Sequence, residues 1–202
     1  MSDTSTTRSG GRQPLLDAAI EIAAEQGAGN VTVRAVAERA GVSPGTVSYH
    51  FPSVDDLLVS ALESADGRIV AMVEQLVRDM EGSEVSPVQW AQAFGAALAN
   101  SIDTNRARHL ACFELSLLAA RRKELLPATV RIQNAYLRAA RAGLRVQGIP
   151  DSEGRAVRLT AMVTGLVLSE IVNPQPGAEQ RLVTLLSAAA TRAFTQVEAS
   201  AT

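Results

Sequence analysis

The chain has 202 residues, 47% of them apolar and 20% charged, with a net charge of −2 and a pI near 5.7. That balance excludes a disordered chain, and no apolar run approaches the ~18 residues that would suggest a membrane span. The single Cys112 excludes an internal disulfide framework. The opening MSDTSTTRSGGRQ lacks the apolar stretch of a signal peptide, so the expected location is cytoplasmic, with no membrane partner.

The length suits one small and one medium domain. Residues 1–11 are rich in Ser, Thr and Gly and read as a flexible arm. Arg8 and Arg12 can serve there as a DNA-reaching pair or as part of a solvated tail. Residues 12–27 read as a helix with Leu15, Leu16, Ala19, Ile20, Ile22 and Ala23 on its apolar side, ended by Gly27.

Residues 32–51, TVRAVAERAGVSPGTVSYHF, organise the rest. Thr32 is placed to cap a helix whose apolar face is Val33, Val36, Ala37 and Ala40. Gly41 fits the left-handed turn beyond it, and Val42 reads as a buried plug. Ser43 caps a second helix, and Pro44 suits its first position, where no N–H is needed. Val47 and Phe51 point back at the first helix. That leaves Thr46, Ser48, Tyr49 and His50 outward. The pattern fits a helix-turn-helix with a hydroxyl-rich, acid-free outer face suited to a major groove. On pattern alone it equally fits an ordinary helical hairpin in an all-α core.

Ser53 caps the next helix, with Asp55 and Asp56 favouring its positive end. Apolar positions from Leu57 to Val77 carry that helix to about Met80, and Gly82-Ser83 closes it. This linker helix is long enough to leave one domain and enter another. Ser86-Pro87 opens a helix with Trp90, Phe94, Ala97, Leu98 and Ile102 at helical spacing, broken near Asp103-Thr104-Asn105. A further helix follows. Pro127 interrupts the next segment near its start, which then runs amphipathically to Gly148. Ile149-Pro150-Asp151 reads as a turn, residues 152–172 as a helix apolar over most of its circumference, 173–177 as a loop, and 178–197 as the last helix. The reading is all-α with about nine helices.

The segment from Leu15 to Leu58 resembles the N-terminal domain of the TetR family of bacterial transcriptional regulators. The matching residues are LLDAAIEIAAEQG and VTVRAVAERAGVSPGTVSYHFPSVDDLL. Ala23, Ser48 and Val54 depart from the family pattern; Val54 stands where the family usually has a phosphate-touching Lys.

The resemblance implies a helix-turn-helix DNA-binding domain over 12–52 and a ligand-binding and dimerisation domain over 53–202. The protein would then be a homodimeric repressor, released from a palindromic double-stranded operator by a small-molecule effector. DNA contacts fall to Thr32, Arg34, Ser43, Gly45, Thr46, Ser48, Tyr49 and His50. Residues 1–52 carry Arg8, Arg12, Arg34 and Arg39 against Asp3, Asp17, Glu21, Glu25 and Glu38. Few ionic contacts are therefore expected, with hydroxyls and helix N-termini holding phosphates.

The last two long helices are expected to form the dimer seam through Leu159, Val163, Leu166, Leu182, Leu186 and Ala189, unless that seam is intramolecular core. The effector pocket is expected among Trp90, Phe94, Phe113, Glu114, Leu117, Asn134, Thr160 and Thr164. For each aromatic, core packing is the rival reading, and for Glu114, plain surface. The expected effector is mostly apolar with a polar or cationic group.

His50, His109 and Cys112 do not make a metal set. No nucleophilic triad and no phosphate-binding Gly loop is legible, so neither enzyme activity nor a cofactor is expected. The rival classes are a helical-bundle enzyme and a TetR-like interaction module that has lost specific DNA binding.

Overall fold

A computed structural model describes residues 11–80, 86–146, 148–149 and 154–188. Among them every element is helical. α1 is Arg12–Gln26, α2 Val33–Ala40, α3 Pro44–His50 and α4 Val54–Met80. α5 is Pro87–Ala119, α6 Leu126–Val146 and α7 Arg155–Val172, and α8 covers residues 178–188. Short 3₁₀ turns precede α2 and α6. α5 carries non-helical backbone at Asn105 (φ −130°, ψ 30°), so the break expected near 103–105 is a kink within one helix. Gly82-Ser83, the Pro150-Asp151 turn, and the stretch of the last helix holding Ala189, Ala193 and Val197 lie outside the described residues, as does Arg8.

The chain divides into two compact units. One comprises the described residues of Met1–Asp66 and Ala107–Val130, the other those of Gly67–Arg106 and Arg131–Thr202. The boundaries fall inside α4, beside the Asn105 kink in α5, and inside α6.

In the first unit the helix ends are built as the sequence dictates. Thr32 Oγ1 accepts the Ala35 N–H at 3.1 Å and Ser43 Oγ the Thr46 N–H at 3.2 Å, each satisfying a donor the helix leaves over. Gly41 sits in the left-handed region (φ 70°, ψ 35°), where its N–H reaches Glu38 O and the Val42 N–H reaches Ala37 O. This paired closure explains why glycine is needed there. Val42, expected as a buried plug, is only half-buried. Ser53 Oγ accepts the Asp56 N–H at 3.0 Å and donates to Asp56 Oδ2 at 2.7 Å, fixing the start of α4. Leu15, Ile22, Val36, Val47, Phe51, Leu57 and Leu62 fill the core between these helices, joined by Leu115 and Leu125 from the second segment.

Polar ties bind that second segment to the first. Arg108 donates to Asp17 Oδ1 and Ser64 O, each at 3.3 Å. Glu114 Oε2 accepts the Ala28 N–H at 3.3 Å, and Arg122 meets Asp55 Oδ1 at 2.8 Å. Cys112 is buried beside Asp66. Burial pushes its thiol well above the usual range, and the Asp66 charge and hydrogen bond add to this, while Arg108 opposes. The folded state therefore keeps Cys112 protonated where an unfolded thiol, with a pKa of about 8.5, ionises. That contribution to stability is complete below the unfolded pKa and drains away as pH rises past it. Urea midpoints are expected to fall from pH 8 to pH 10, and Cys112→Ala is expected to flatten the fall; parallel curves for the two proteins would refute it.

In the second unit Trp90, Phe94, Leu98 and Ile102 line the buried side of α5. Ser86 and Gln89 exchange hydrogen bonds at its start: the Gln89 N–H reaches Ser86 Oγ and the Ser86 N–H reaches Gln89 Oε1. Pro127 does not interrupt α6; it occupies the first turn, where its missing N–H costs nothing. Arg181 donates to both carboxylate oxygens of Glu170 and to the carbonyls of Gln175 and Pro176, stapling the loop between α7 and α8. No helix among the described residues is long and apolar enough to cross a membrane.

Candidate functional site

α3 presents the candidate DNA surface. Val47 is fully buried on its inner side, and Phe51 closes the turn beneath it. Tyr49 is 84% exposed, an extreme value for a large ring, and meets His50 edge-to-face at 5.2 Å. Ser48 is exposed, and Thr46 and His50 are half-buried. Ser43 Oγ and Thr46 Oγ1 lie 3.1 Å apart, so the cap also orients the Thr46 hydroxyl. Thr32 and Arg34 are exposed at the start of α2. All eight residues expected to touch DNA thus lie on α2, α3 or their caps, with none fully buried.

Arg12, named with Arg8 as a DNA-reaching residue and also as the start of the first helix, is the first residue of α1. Its guanidinium sits 5.0 Å over the Phe51 ring and donates to Ser60 Oγ at 2.7 Å. Arg39 is spent on Glu21 and Glu25 of α1.

Gly45 is exposed, and a Cβ built on it would meet only Ser43 Oγ at 3.6 Å, an ordinary contact. Internal packing therefore does not demand a glycine. Gly45→Ala is expected to leave the fold as stable or to gain up to ~1 kcal/mol of helix propensity. DNA affinity should drop about tenfold, ~1.4 kcal/mol. Unchanged DNA affinity in a titration would remove Gly45 from the surface.

The eight residues expected to line a pocket are divided between the two units. Phe113, Glu114 and Leu117 belong to the first unit, and Trp90, Phe94, Asn134, Thr160 and Thr164 to the second. Glu114 accepts the Ala28 N–H and Leu117 is exposed. Asn134 and Thr164 are exposed. Trp90 and Phe94 are buried and stacked, with centroids 5.1 Å apart and planes 12° from parallel.

The residues expected at the seam differ in burial. Leu182 and Leu186 are 0% and 2% exposed within the single chain, so they have no surface to give a partner. Leu159 packs on the cluster of Leu144, Ile149 and Ala156, and Val163 and Leu166 are half-buried on that same side of α7. The opposite side is open: Val157, Ala161, Thr164, Leu168 and Val172 recur at spacings of three and four and are all exposed, as is Leu185 on α8. α7 is apolar around most of its circumference, so periodicity alone could not separate the two stripes.

A helix-turn-helix of this geometry ahead of a second helical unit defines a helix-turn-helix protein. Residues 15–61 match the family described as "Bacterial regulatory proteins, tetR family", and residues 86–196 match "Tetracyclin repressor-like, C-terminal domain". The chain belongs to the TetR family. Over 64 residues it is 47% identical to the HTH-type transcriptional repressor KstR of Mycolicibacterium smegmatis, covering 32% of this chain and 31% of that protein. Over 65 residues it is 31% identical to the fatty acid metabolism regulator protein of Bacillus subtilis (strain 168), covering 32% of this chain and 34% of that protein. The match thus spans about a third of the length of these curated relatives. Among solved structures, a transcriptional regulator from Rhodococcus sp. Rha1 superposes with a TM-score of 0.76 at 25% identity, over 91% of this chain and 96% of that one. The multidrug binding protein EbrR complexed with imidazole gives 0.68 at 25% identity, over 88% and 93%.

Proposed function

We propose that this protein is a homodimeric transcriptional regulator, a repressor, which grips a palindromic operator with α3 and lets go when a small molecule occupies its second unit. The observation that carries the reading is the outer face of α3. It is short, hydroxyl-rich and locked by the Ser43 cap, and it offers an aromatic ring to solvent with no packing reason to do so. The same stretch lies within residues 15–61, which match the tetR family of bacterial regulatory proteins.

Dimerisation is supported by the open stripe on α7. Val157, Leu168 and Val172, with Leu185, make an apolar surface that a second copy can cover around a twofold axis. Two recognition helices related that way read half-sites about 34–36 Å apart, so a few ångströms of displacement breaks both contacts. The effector must bind the DNA-incompetent state better to shift the balance. EbrR, a relative in fold that binds imidazole, proflavin and ethidium, supports a small-molecule ligand here. In the first unit, Arg108, Glu114 and Arg122 would relay a movement of residues 107–130 to α1 and α4.

The test is selection of bound duplexes from a random DNA pool at near-physiological salt. A recovered palindrome with half-sites about one helical turn apart is expected. An unenriched pool would favour an interaction module, a reading to which the excess of acids over arginines in residues 1–52 gives some support.

A further inference from the structure

Trp90 is the only tryptophan in the chain and is buried. Its Nε1 is also buried, and among the described residues it donates to nothing. A buried indole N–H ordinarily finds an acceptor, and leaving it unmet is costly. The ring is held firmly: Phe94 stacks on it, and α6 approaches it at Gly143. A Cβ on Gly143 would lie 3.1 Å from Cζ2 and 3.7 Å from Cε2, the atom bonded to Nε1. The missing side chain therefore lets α6 lie close against the benzo edge of the ring. In the same unit Thr160 Oγ1 is a second buried polar atom without a partner.

Two carboxylates that could greet a cation are committed elsewhere. Glu114 holds the Ala28 N–H in the other unit, and Glu170 is gripped by Arg181.

We infer that the Trp90 N–H is the polar anchor of the effector site, and that the effector is an uncharged apolar molecule carrying an acceptor oxygen of carbonyl type. The inference rests on the reading of the second unit as effector-binding. It deepens that reading by naming the ligand's chemistry. The acceptor oxygen takes the N–H, the Trp90–Phe94 pair supplies apolar contact, and a cationic head, which brings only donors, has nothing to offer the N–H.

The single tryptophan makes the test direct, since the ¹⁵N-labelled full chain gives one indole N–H resonance. Three probes share one apolar body: 2-acetylnaphthalene, 2-isopropylnaphthalene and the cation of 1-(2-naphthyl)ethylamine. The ketone is expected to move the indole proton downfield saturably and to bind at least about tenfold more tightly than the hydrocarbon or the amine. Trp90→Phe keeps an aromatic ring and removes the N–H, so it should erase the ketone's advantage. Gly143→Ala, which sets a methyl against the indole edge, should also weaken ketone binding about tenfold.

Equal binding of ketone and hydrocarbon overturns the inference. So does an amine that binds as well as the ketone, a preference that survives in Trp90→Phe, or a failure of all three probes to bind. DNA affinity is measured in parallel. A ketone that binds through the indole without weakening DNA binding supports the anchor and refutes the effector reading. Release of DNA by the ketone with an unmoved indole resonance overturns the anchor and leaves the effector reading standing.

Discussion

Gly95→Ala is expected to cost about 1–2 kcal/mol of folding stability in urea unfolding of the full chain. α5 and α8 cross at this residue. A Cβ there would stand 2.7 Å from Val183 Cγ2, and also 3.0 Å from Val183 N and 3.1 Å from its Cα. Side-chain rotation can clear the first contact but not the other two, so the helices must separate. Separation also loosens Leu182 and Leu186, which α8 buries on either side of the crossing. Overpacking of this kind typically costs about 1–3 kcal/mol, while helix propensity returns up to ~1 kcal/mol. The backbone contacts decide the sign.

The double variant with Val183→Ala should recover only part of the loss, because it removes Cγ2 and leaves the main-chain obstruction. A Gly95→Ala midpoint equal to that of the wild type would mean the helices do not approach so closely. Full rescue by Val183→Ala would place the clash in the side chain alone.

Local signals carried far in this chain. Thr32, Gly41, Ser43, Pro44 and Ser53 each act through their own backbone within a few residues, and the structure places each as a cap or turn of the expected kind. The kink at Asn105 and the loop after α7 were legible for the same reason. Choices that depend on distant partners were not. Glu114 interrupts an apolar run and so resembles a pocket acid, yet its partner is a backbone N–H eighty-six residues earlier. The partner of Arg12 was hidden for the same reason, since nothing nearby in sequence announces the Phe51 ring beneath it. On α7, which is apolar nearly all round, spacing yields several equivalent stripes, and only packing against Leu144 and Ile149 tells which side is inward. Val42 was read as buried because an apolar residue after the turn has an obvious place to go; the Gly41 closure leaves it half in solvent.

The largest expected effect on function is at Tyr49. Its ring is so exposed that Tyr49→Ala should change folding stability by less than about 0.5 kcal/mol. In the operator complex its hydroxyl is expected on a phosphate, a charge-assisted bond worth about 1.5–3 kcal/mol in each half-site. Loss from both half-sites amounts to ~3–6 kcal/mol, or a fall in affinity of roughly a hundredfold to ten-thousandfold. A phosphate carries no sequence information, so the loss should be uniform across operator variants and random duplexes. Tyr49→Phe, which keeps the ring and removes the hydroxyl, should lose most of the same affinity.

Thr46→Ala is the contrast. The Ser43 cap uses the Thr46 backbone N–H, which alanine retains, so the helix start survives. What goes is a hydroxyl and methyl facing the groove. Affinity should fall by about 1–3 kcal/mol per base contact, with relaxed preference at one position in each half-site. Binding titrations against a panel of single-base operator variants separate the two. Uniform losses for both substitutions, or full affinity in Tyr49→Phe, would show that α3 does not divide its contacts between backbone and bases in this way.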